Sequence, residues 1–334
     1  MADTDGRVLS GRYALGPVVG IGSTATVHRG RDLCDGRLVA IKMFHPGASF
    51  DDVRRQCRET DMLAAMDHPG LVRLRAGGVD DGRRYVVTDL VEGPTLAERI
   101  SRERLSPPQV CRLGADLGAA LAYVHECGVV HRDVKPANVL LGDETGARLA
   151  DFGIAKIFGG ASITGEGTVI GTAAFLAPEQ ARGEQVGPPA DVYALGLVLL
   201  EALTGRREYP GHMIESASAR LHRRPVVPDG LPGGLTARLR AMTADDPRYR
   251  PSAAAVAAQF ASARSDAVAA PRRAGRHRRA RGGRRRAVVP LAVGAFLASA
   301  AVGAVFVAGA GSGGSSPVAT PGGSGEGLTV GTGR

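Results

Sequence analysis

The sequence predicts an α+β fold of two unequal lobes, a small β-rich one followed by a larger helical one, and three patterns lead there. First, residues 16–19, 26–31 and 38–43 are short runs with β-branched residues, broken by glycine, as in a twisted antiparallel sheet. Second, residues 50–66 carry helical spacing, with Val53, Cys57, Met62 and Leu63 apolar among Arg, Asp and Glu, before strand patterns resume at 71–76 and 84–90. Third, after Glu92-Gly93-Pro94 the period becomes helical over 96–103, 107–127, 190–204, 235–242 and 252–263. The 107–127 stretch shows it best, with Val110, Leu113, Leu117, Leu121 and Val124 on one face.

A chain of 334 residues accommodates one large two-lobed domain with appendages. The net charge of +9 is local in origin, because nine arginines and no acidic residue lie between Arg272 and Arg286. Elsewhere acidic and basic residues balance, so residues 1–270 as a whole lack the positive field that nucleic-acid binding needs, and no nucleic-acid partner is expected. The four cysteines have no metal-ligand spacing and no N-terminal signal peptide is read, which suits a reduced cytoplasmic domain.

The boundaries follow from these shifts in composition. Residues 1–10 read as an N-terminal extension, 11–263 as the folded domain and 264–286 as a basic linker. Residues 287–310 form a charge-free run of 24, long enough as a helix to cross a hydrocarbon core of about 30 Å. Residues 311–334 are rich in Gly, Ser, Pro and Thr and are expected to be disordered.

Within the first lobe, Gly20-Ile21-Gly22 lies between two strand patterns, where glycine lets backbone amides approach phosphate oxygens. A plain hairpin turn explains the same residues equally well, and the third position of Gly-x-Gly-x-x-Gly is Ala25. Downstream, Lys42 ends the apolar run Val39-Ala40-Ile41; a lysine there is either simply solvated or paired with Glu59 of the next helical stretch to position a polyphosphate. The chain has only three lysines, Lys42, Lys135 and Lys156, and two of them fall in such motifs.

The decisive string is His131-Arg132-Asp133-Val134-Lys135-Pro136-Ala137-Asn138-Val139-Leu140, with Asp151-Phe152-Gly153 thirteen residues after the asparagine. Phosphoryl transfer needs a carboxylate to orient the attacking hydroxyl, oxygen ligands for Mg²⁺ and cations for the phosphate charge. Asp133, Asn138, Asp151 and Lys135 supply these groups.

On these motifs the chain resembles the bacterial eukaryotic-like (Hanks-type) transmembrane Ser/Thr protein kinases, over about residues 11–263. The resemblance implies a bilobal kinase fold that binds ATP with Mg²⁺, or Mn²⁺ in its place. It implies Lys42 on the phosphates held by Glu59, Asp133 as base, and Asn138 and Asp151 on the metal, with the loop of Val19, Gly20, Ile21, Gly22 and Ala25 over the phosphates. It further implies Thr88 as gatekeeper, backbone contacts from Asp89 and Val91 to the adenine edge, and Val27, Ala40 and Leu140 on the base faces. Two later landmarks agree with it: Ala177-Pro178-Glu179 with Arg250 as partner, and Asp191-Val192-Tyr193-Ala194-Leu195-Gly196, where relatives often carry Trp at the Tyr193 position. No essential part is missing, which disfavours the alternatives of a pseudokinase scaffold or a membrane-tethered interaction protein.

Lys135 and Thr172 match the Ser/Thr-specific form of the motif, so protein substrates with Ser or Thr hydroxyls are implied. Arg132 suits docking of a phosphate on the activation segment, for which Ser162, Thr164 and Thr168 are candidates. Thr164 aligns best with a phosphorylated position, and Glu166 stands where a second one falls, either as a fixed negative charge or as a solvated loop residue. The arginines before residue 287 place the kinase on the cytoplasmic side of a single-pass cell-membrane anchor and suit anionic lipid. Ala295, Ser299 and Gly303 recur every four residues, as in a homodimer face, a spacing that this composition also produces by chance.

Overall fold

The computed structural model describes residues 6–22, 25–45, 64–142, 146–151 and 173–269. All of them belong to one compact unit, Met1–Arg273. The sheet contains β1 (Val8–Leu9), β2 (Tyr13–Ile21), β3 (Ala25–Asp32), β4 (Leu38–Phe44), β5 (Leu74–Asp80) and β6 (Arg83–Asp89). Its order is β1-β2-β3-β4-β6-β5, and every pairing is antiparallel. Side chains alternate between faces along a strand, so Val39, Ile41 and Met43 of β4 point together into a core with Leu9, Tyr13, Tyr85 and Val87. Ala40 and Lys42 therefore lie on the opposite face.

Three of the strand elements escape sequence patterning in whole or in part. β1 lies within the segment read as an extension, because two residues are too few to show a period, yet Leu9 is completely buried. β5 begins at Leu74 and runs through Gly77 and Gly78, residues that favour strands poorly. A side chain at Gly78 would meet the Tyr85 ring from the neighbouring strand, with 2.8 Å to its hydroxyl, so the glycine is there to seat the tyrosine. The third is a separate hairpin, β7 (Val139–Gly142) with β8 (Gly146–Leu149), too short to read as strands in the sequence.

That hairpin joins the lobes. Val72 N–H donates to the Leu149 carbonyl at 2.9 Å and Leu149 N–H to the Gly70 carbonyl at 2.8 Å. On the other side Leu141 N–H donates to the Pro94 carbonyl at 3.0 Å. The backbone comes so close here that Gly93, at φ 137°, has no space for a Cβ, which would run into the Leu141 carbonyl.

The second lobe comprises α1 (Leu96–Arg102), α2 (Pro107–Glu126), α3 (Pro178–Arg182), α4 (Pro188–Thr204), α5 (Met213–His222), α6 (Leu235–Met242) and α7 (Ala253–Ala269). α1 starts at a reciprocal cap: Glu98 N–H donates to Thr95 Oγ1 at 3.1 Å and Thr95 N–H to Glu98 Oε2 at 2.8 Å. α4 is apolar around its whole circumference and nearly every residue from Ala190 to Leu203 is buried, which makes it the axis of the lobe. α2 and α7 approach through glycine: Phe260 covers Gly114, and a Cβ on Gly118 would lie 2.9 Å from the Ala257 nitrogen.

α7 continues six residues past the expected end at 263, into the segment read as linker. α5 was not expected: it is only ten residues long, with Met213, Ile214 and Leu221 as its large apolar residues. The helix expected over 50–66 lies outside the described residues up to residue 63. Among the described residues no helix is long and apolar enough to cross a membrane; the 287–310 run lies outside them.

Candidate active site

The segment between α2 and β7 is fixed from beneath by Asp191, one residue in from the start of the buried α4 core and 1% exposed. Its carboxylate accepts from His131 N–H at 2.8 Å, from Arg132 N–H at 2.8 Å and from the His125 ring at 2.8 Å. A buried carboxylate is costly without such donors, and backbone N–H groups are good ones. Two of the three are consecutive amides, so the chain must turn there, and Arg132 adopts a left-handed φ of 64°. That conformation costs a non-glycine residue roughly 1–2 kcal/mol, which the paired hydrogen bonds offset.

The turn delivers Asp133. Lys135 Nζ donates to its Oδ2 at 2.8 Å, and Asn138 Nδ2 donates to the same oxygen at 3.0 Å and to the Asp133 carbonyl at 2.8 Å. With Nδ2 committed, Oδ1 is the atom by which Asn138 can act as an oxygen ligand. Ala150 N–H donates to the Asn138 carbonyl at 2.8 Å, which binds the loop to the approach to Asp151. Asp151 also has a left-handed φ, 55°, and its carboxylate accepts from Lys42 Nζ at 2.7 Å. Lys42 is thus paired within the described residues with Asp151, a contact not expected from the sequence, whereas Glu59 lies outside them.

His131 is the buried pivot of this arrangement. Its ring Nε2 lies 3.1 Å from the Ala150 carbonyl, and Asp133 N–H donates to Nδ1 at 3.3 Å. Both contacts are satisfied by the neutral Nε2–H tautomer. Complete burial lowers its pKa below the ordinary value, against the opposing pull of Asp191, Asp133 and Asp151.

Sheet register gathers the remaining residues. Val27 pairs with Lys42, Lys42 with Val86, and Ala40 with Thr88, so Val27, Ala40, Lys42 and Thr88 share the face opposite the first-lobe core. Asp89 N–H donates to the Arg73 carbonyl at 3.0 Å, its carboxylate accepts from Arg75 Nε, and its carbonyl accepts from the Thr88 hydroxyl at 3.3 Å. Val91 and Leu140 are half-buried where the hinge meets β7. In the β2–β3 hairpin Gly20 pairs with Val27 and Ile21 with Thr26, while Gly22 N–H donates to the Ala25 carbonyl at 2.8 Å. Val19 is 55% and Ile21 81% exposed, whereas Ala25 is buried and its small size serves packing.

Two buried or half-buried polar side chains, His125 beneath the loop and Arg220 on α5, are not singled out by the sequence. His125 carries no motif signal of its own beyond its place one residue before the end of α2. Arg220, on α5, is one arginine among many. Thr172, Ser162, Thr164 and Thr168 lie outside the described residues. Asp151 and Asn138 Oδ1 are hard oxygen donors of the kind that hold a divalent cation jointly with phosphate and water. Among the described residues there is no cluster of three or more His, Cys, Asp or Glu side chains that could hold a metal ion.

The protein kinase domain family matches residues 13–259. The serine/threonine-protein kinase PknB of Mycobacterium tuberculosis is 37% identical over 244 residues, 70% of this chain and 39% of that protein. PrkC of Bacillus subtilis is 34% identical over 254 residues, 73% of this chain and 39% of that protein. PknL of Mycobacterium tuberculosis is 35% identical over 292 residues, 83% of this chain and 73% of that protein. The chain thus spans about two fifths of the length of PknB and PrkC. The crystal structure of the Mycobacterium tuberculosis PknI kinase domain superposes with a TM-score of 0.61 at 26% identity, covering 77% of this chain and 98% of that domain.

The buried neutral imidazole has a consequence for stability. In the unfolded chain His131 titrates near its ordinary value of about 6.5 and binds a proton that the folded state refuses. Its contribution is therefore complete above that pH and is lost as pH falls through 6.5 toward the depressed folded value. Denaturant unfolding from pH 7.5 to 5.5 should show decreasing stability, with a shallower slope in His131→Gln, by up to about 1.4 kcal/mol per pH unit. An unchanged slope in the variant would contradict the buried neutral assignment.

Proposed function

The chain belongs to the protein kinase family, and we propose that it transfers the γ-phosphate of ATP to serine and threonine hydroxyls of proteins. The observation that carries this reading is the group formed by Asp133, Lys135 and Asn138 beside the Lys42–Asp151 pair, on a loop anchored to the most buried helix of the second lobe. The acceptor hydroxyl donates to the Asp133 carboxylate, which orients the oxygen for attack and takes up its proton. Lys135, held at that carboxylate, supplies positive charge beside the transferring group. Lys42 supplies it to the nucleotide phosphates, exchanging its contact with Asp151 as nucleotide enters, with Glu59 as its other partner. Mg²⁺, or Mn²⁺ in its place, would be held by Asn138 and Asp151 and would neutralise charge on the phosphates. Adenine sits between Val27, Ala40 and Leu140, reads the backbone of Asp89 and Val91, and lies beside Thr88; the Gly20–Ala25 hairpin covers the phosphates.

The preference for Ser and Thr acceptors rests on Lys135 and Thr172, and the named relatives support it. The enzyme phosphorylates its own activation segment at Thr164, where one phosphate suffices because Glu166 supplies fixed charge nearby; Thr168 and Ser162 are the other candidates. In incubations of the full chain with labelled ATP and Mg²⁺, Asp133→Asn and Lys42→Met should each reduce phosphate transfer by about 10²-fold or more. Asp133→Asn should still bind ATP, and mass spectrometry of the active wild type should find phosphate at Thr164. A variant retaining wild-type transfer would exclude the assigned role.

The 287–310 run and the nine arginines before it support a single-pass anchor in the cell membrane with the kinase on the cytoplasmic side. Small residues at 295, 299 and 303 support pairing of two copies within it. Cell fractionation should recover the full chain with membranes and a chain ending at Ala270 in the soluble fraction; recovery of both as soluble proteins would refute the anchor.

A further inference from the structure

Arg220 is 2% exposed, and a guanidinium so deeply placed is costly unless its donors are satisfied. From α5 its Nε donates to the Ser216 carbonyl at 3.0 Å, Nη2 donates to Ser216 Oγ at 2.8 Å, and Nη1 donates to the carbonyl of Leu176. The first two bonds lie within one helical turn and fix the plane of the guanidinium. The third reaches 44 residues back in the chain, to the segment just before α3. Desolvation weakens the hold of Arg220 on its proton, opposed by the nearby Tyr193 and Tyr209.

The same group is stacked on an aromatic layer. Its guanidinium carbon lies 4.9 Å from the Tyr209 ring centroid, and that of Arg223 lies 4.6 Å from the same ring. The Tyr209 hydroxyl is 3.5 Å from that of Tyr193, and the Tyr193 ring lies 4.8 Å beneath the Arg250 guanidinium. Arg250 in turn holds Glu179 through two bonds of 2.6 and 2.8 Å. Leu176 and Glu179, three residues apart, are therefore each gripped by a buried arginine resting on one Tyr193–Tyr209 layer. Leu176 and Phe175 line a single small cavity with Arg132 and Asp133, so this segment borders the place an acceptor hydroxyl must reach.

We propose that Arg220 is a positioning residue for the protein acceptor: by holding the Leu176 carbonyl it sets the backbone of residues 174–177 beside Asp133, and it governs acceptor binding without acting on ATP. The inference rests on the kinase reading above. A lysine cannot reproduce it, because one ammonium lacks the planar fork that serves Ser216 and Leu176 together.

The test is steady-state kinetics of the full chain with myelin basic protein as a generic Ser/Thr acceptor, titrating acceptor and ATP separately. Arg220→Met, which keeps bulk and loses all donors, should raise the acceptor KM by about tenfold while leaving the ATP KM within about twofold. Arg220→Lys should fall between the two. If Arg220→Met does not fold, Ser216→Ala, which removes one acceptor and keeps the guanidinium, should raise the acceptor KM by about threefold with the ATP KM unchanged. Wild-type transfer with an unaltered acceptor KM in the folded variant, or with both KM values rising together, would overturn the inference alone. Absence of transfer by the wild type would overturn the kinase reading and this inference with it.

Discussion

One carboxylate, that of Asp191, organises the second lobe's chemistry. Its helix is apolar on every side, so the charge lies where water cannot compensate it, and its three donors are obligatory. Because two of them are successive backbone amides, satisfying the carboxylate dictates the path of the main chain through His131 and Arg132. The left-handed φ of Arg132 is a consequence of that path, and Asp133 emerges from it with its position already set. Binding and orienting groups in advance is how a site lowers a barrier without reorganising during reaction.

The rest of the site extends outward from this anchor by short steps. Asn138 and Lys135 converge on Asp133; the Asn138 carbonyl ties the loop to Ala150, and Asp151 follows with Lys42 reaching it across the cleft. Two residues further along α4 from Asp191, Tyr193 supports Arg250 and so the buried ion pair with Glu179, 0% and 3% exposed. Breaking one partner of such a pair typically costs about 3–5 kcal/mol, which makes it a firm clamp on the segment leading into α3. Arg220 adds a second clamp on that segment. A single buried helix thereby holds both the turn that carries the Asp133 carboxylate and, through its tyrosine, the wall beside it.

Much of this is legible in the sequence because the motifs place particular residue types in a fixed order, and the structure brings Asp133, Lys135 and Asn138 into mutual contact and Lys42 onto Asp151. Long periodic helices such as 107–127 and 190–204 were equally clear, since period and length agree. What escaped did so for physical reasons. β1 and the β7–β8 hairpin are too short for a period, and Gly77 and Gly78 disguise β5 because a tyrosine on the next strand takes the space. The contact of Lys42 with Asp151 spans 109 residues and follows from tertiary placement alone. Arg220 was invisible because, in a chain that uses arginine almost to the exclusion of lysine, nothing local separates a buried guanidinium from a solvated one.

The measurement that bears most directly on this account is single-turnover phosphate transfer and ATP affinity in Asp191→Asn. The neutral amide keeps one carbonyl acceptor for three donors, so the loop loses its fixed path while the nucleotide-facing sheet is untouched. The account predicts ATP affinity within about threefold of wild type and transfer slowed by about 10²-fold or more. Transfer at the wild-type rate in a folded Asp191→Asn protein would contradict it.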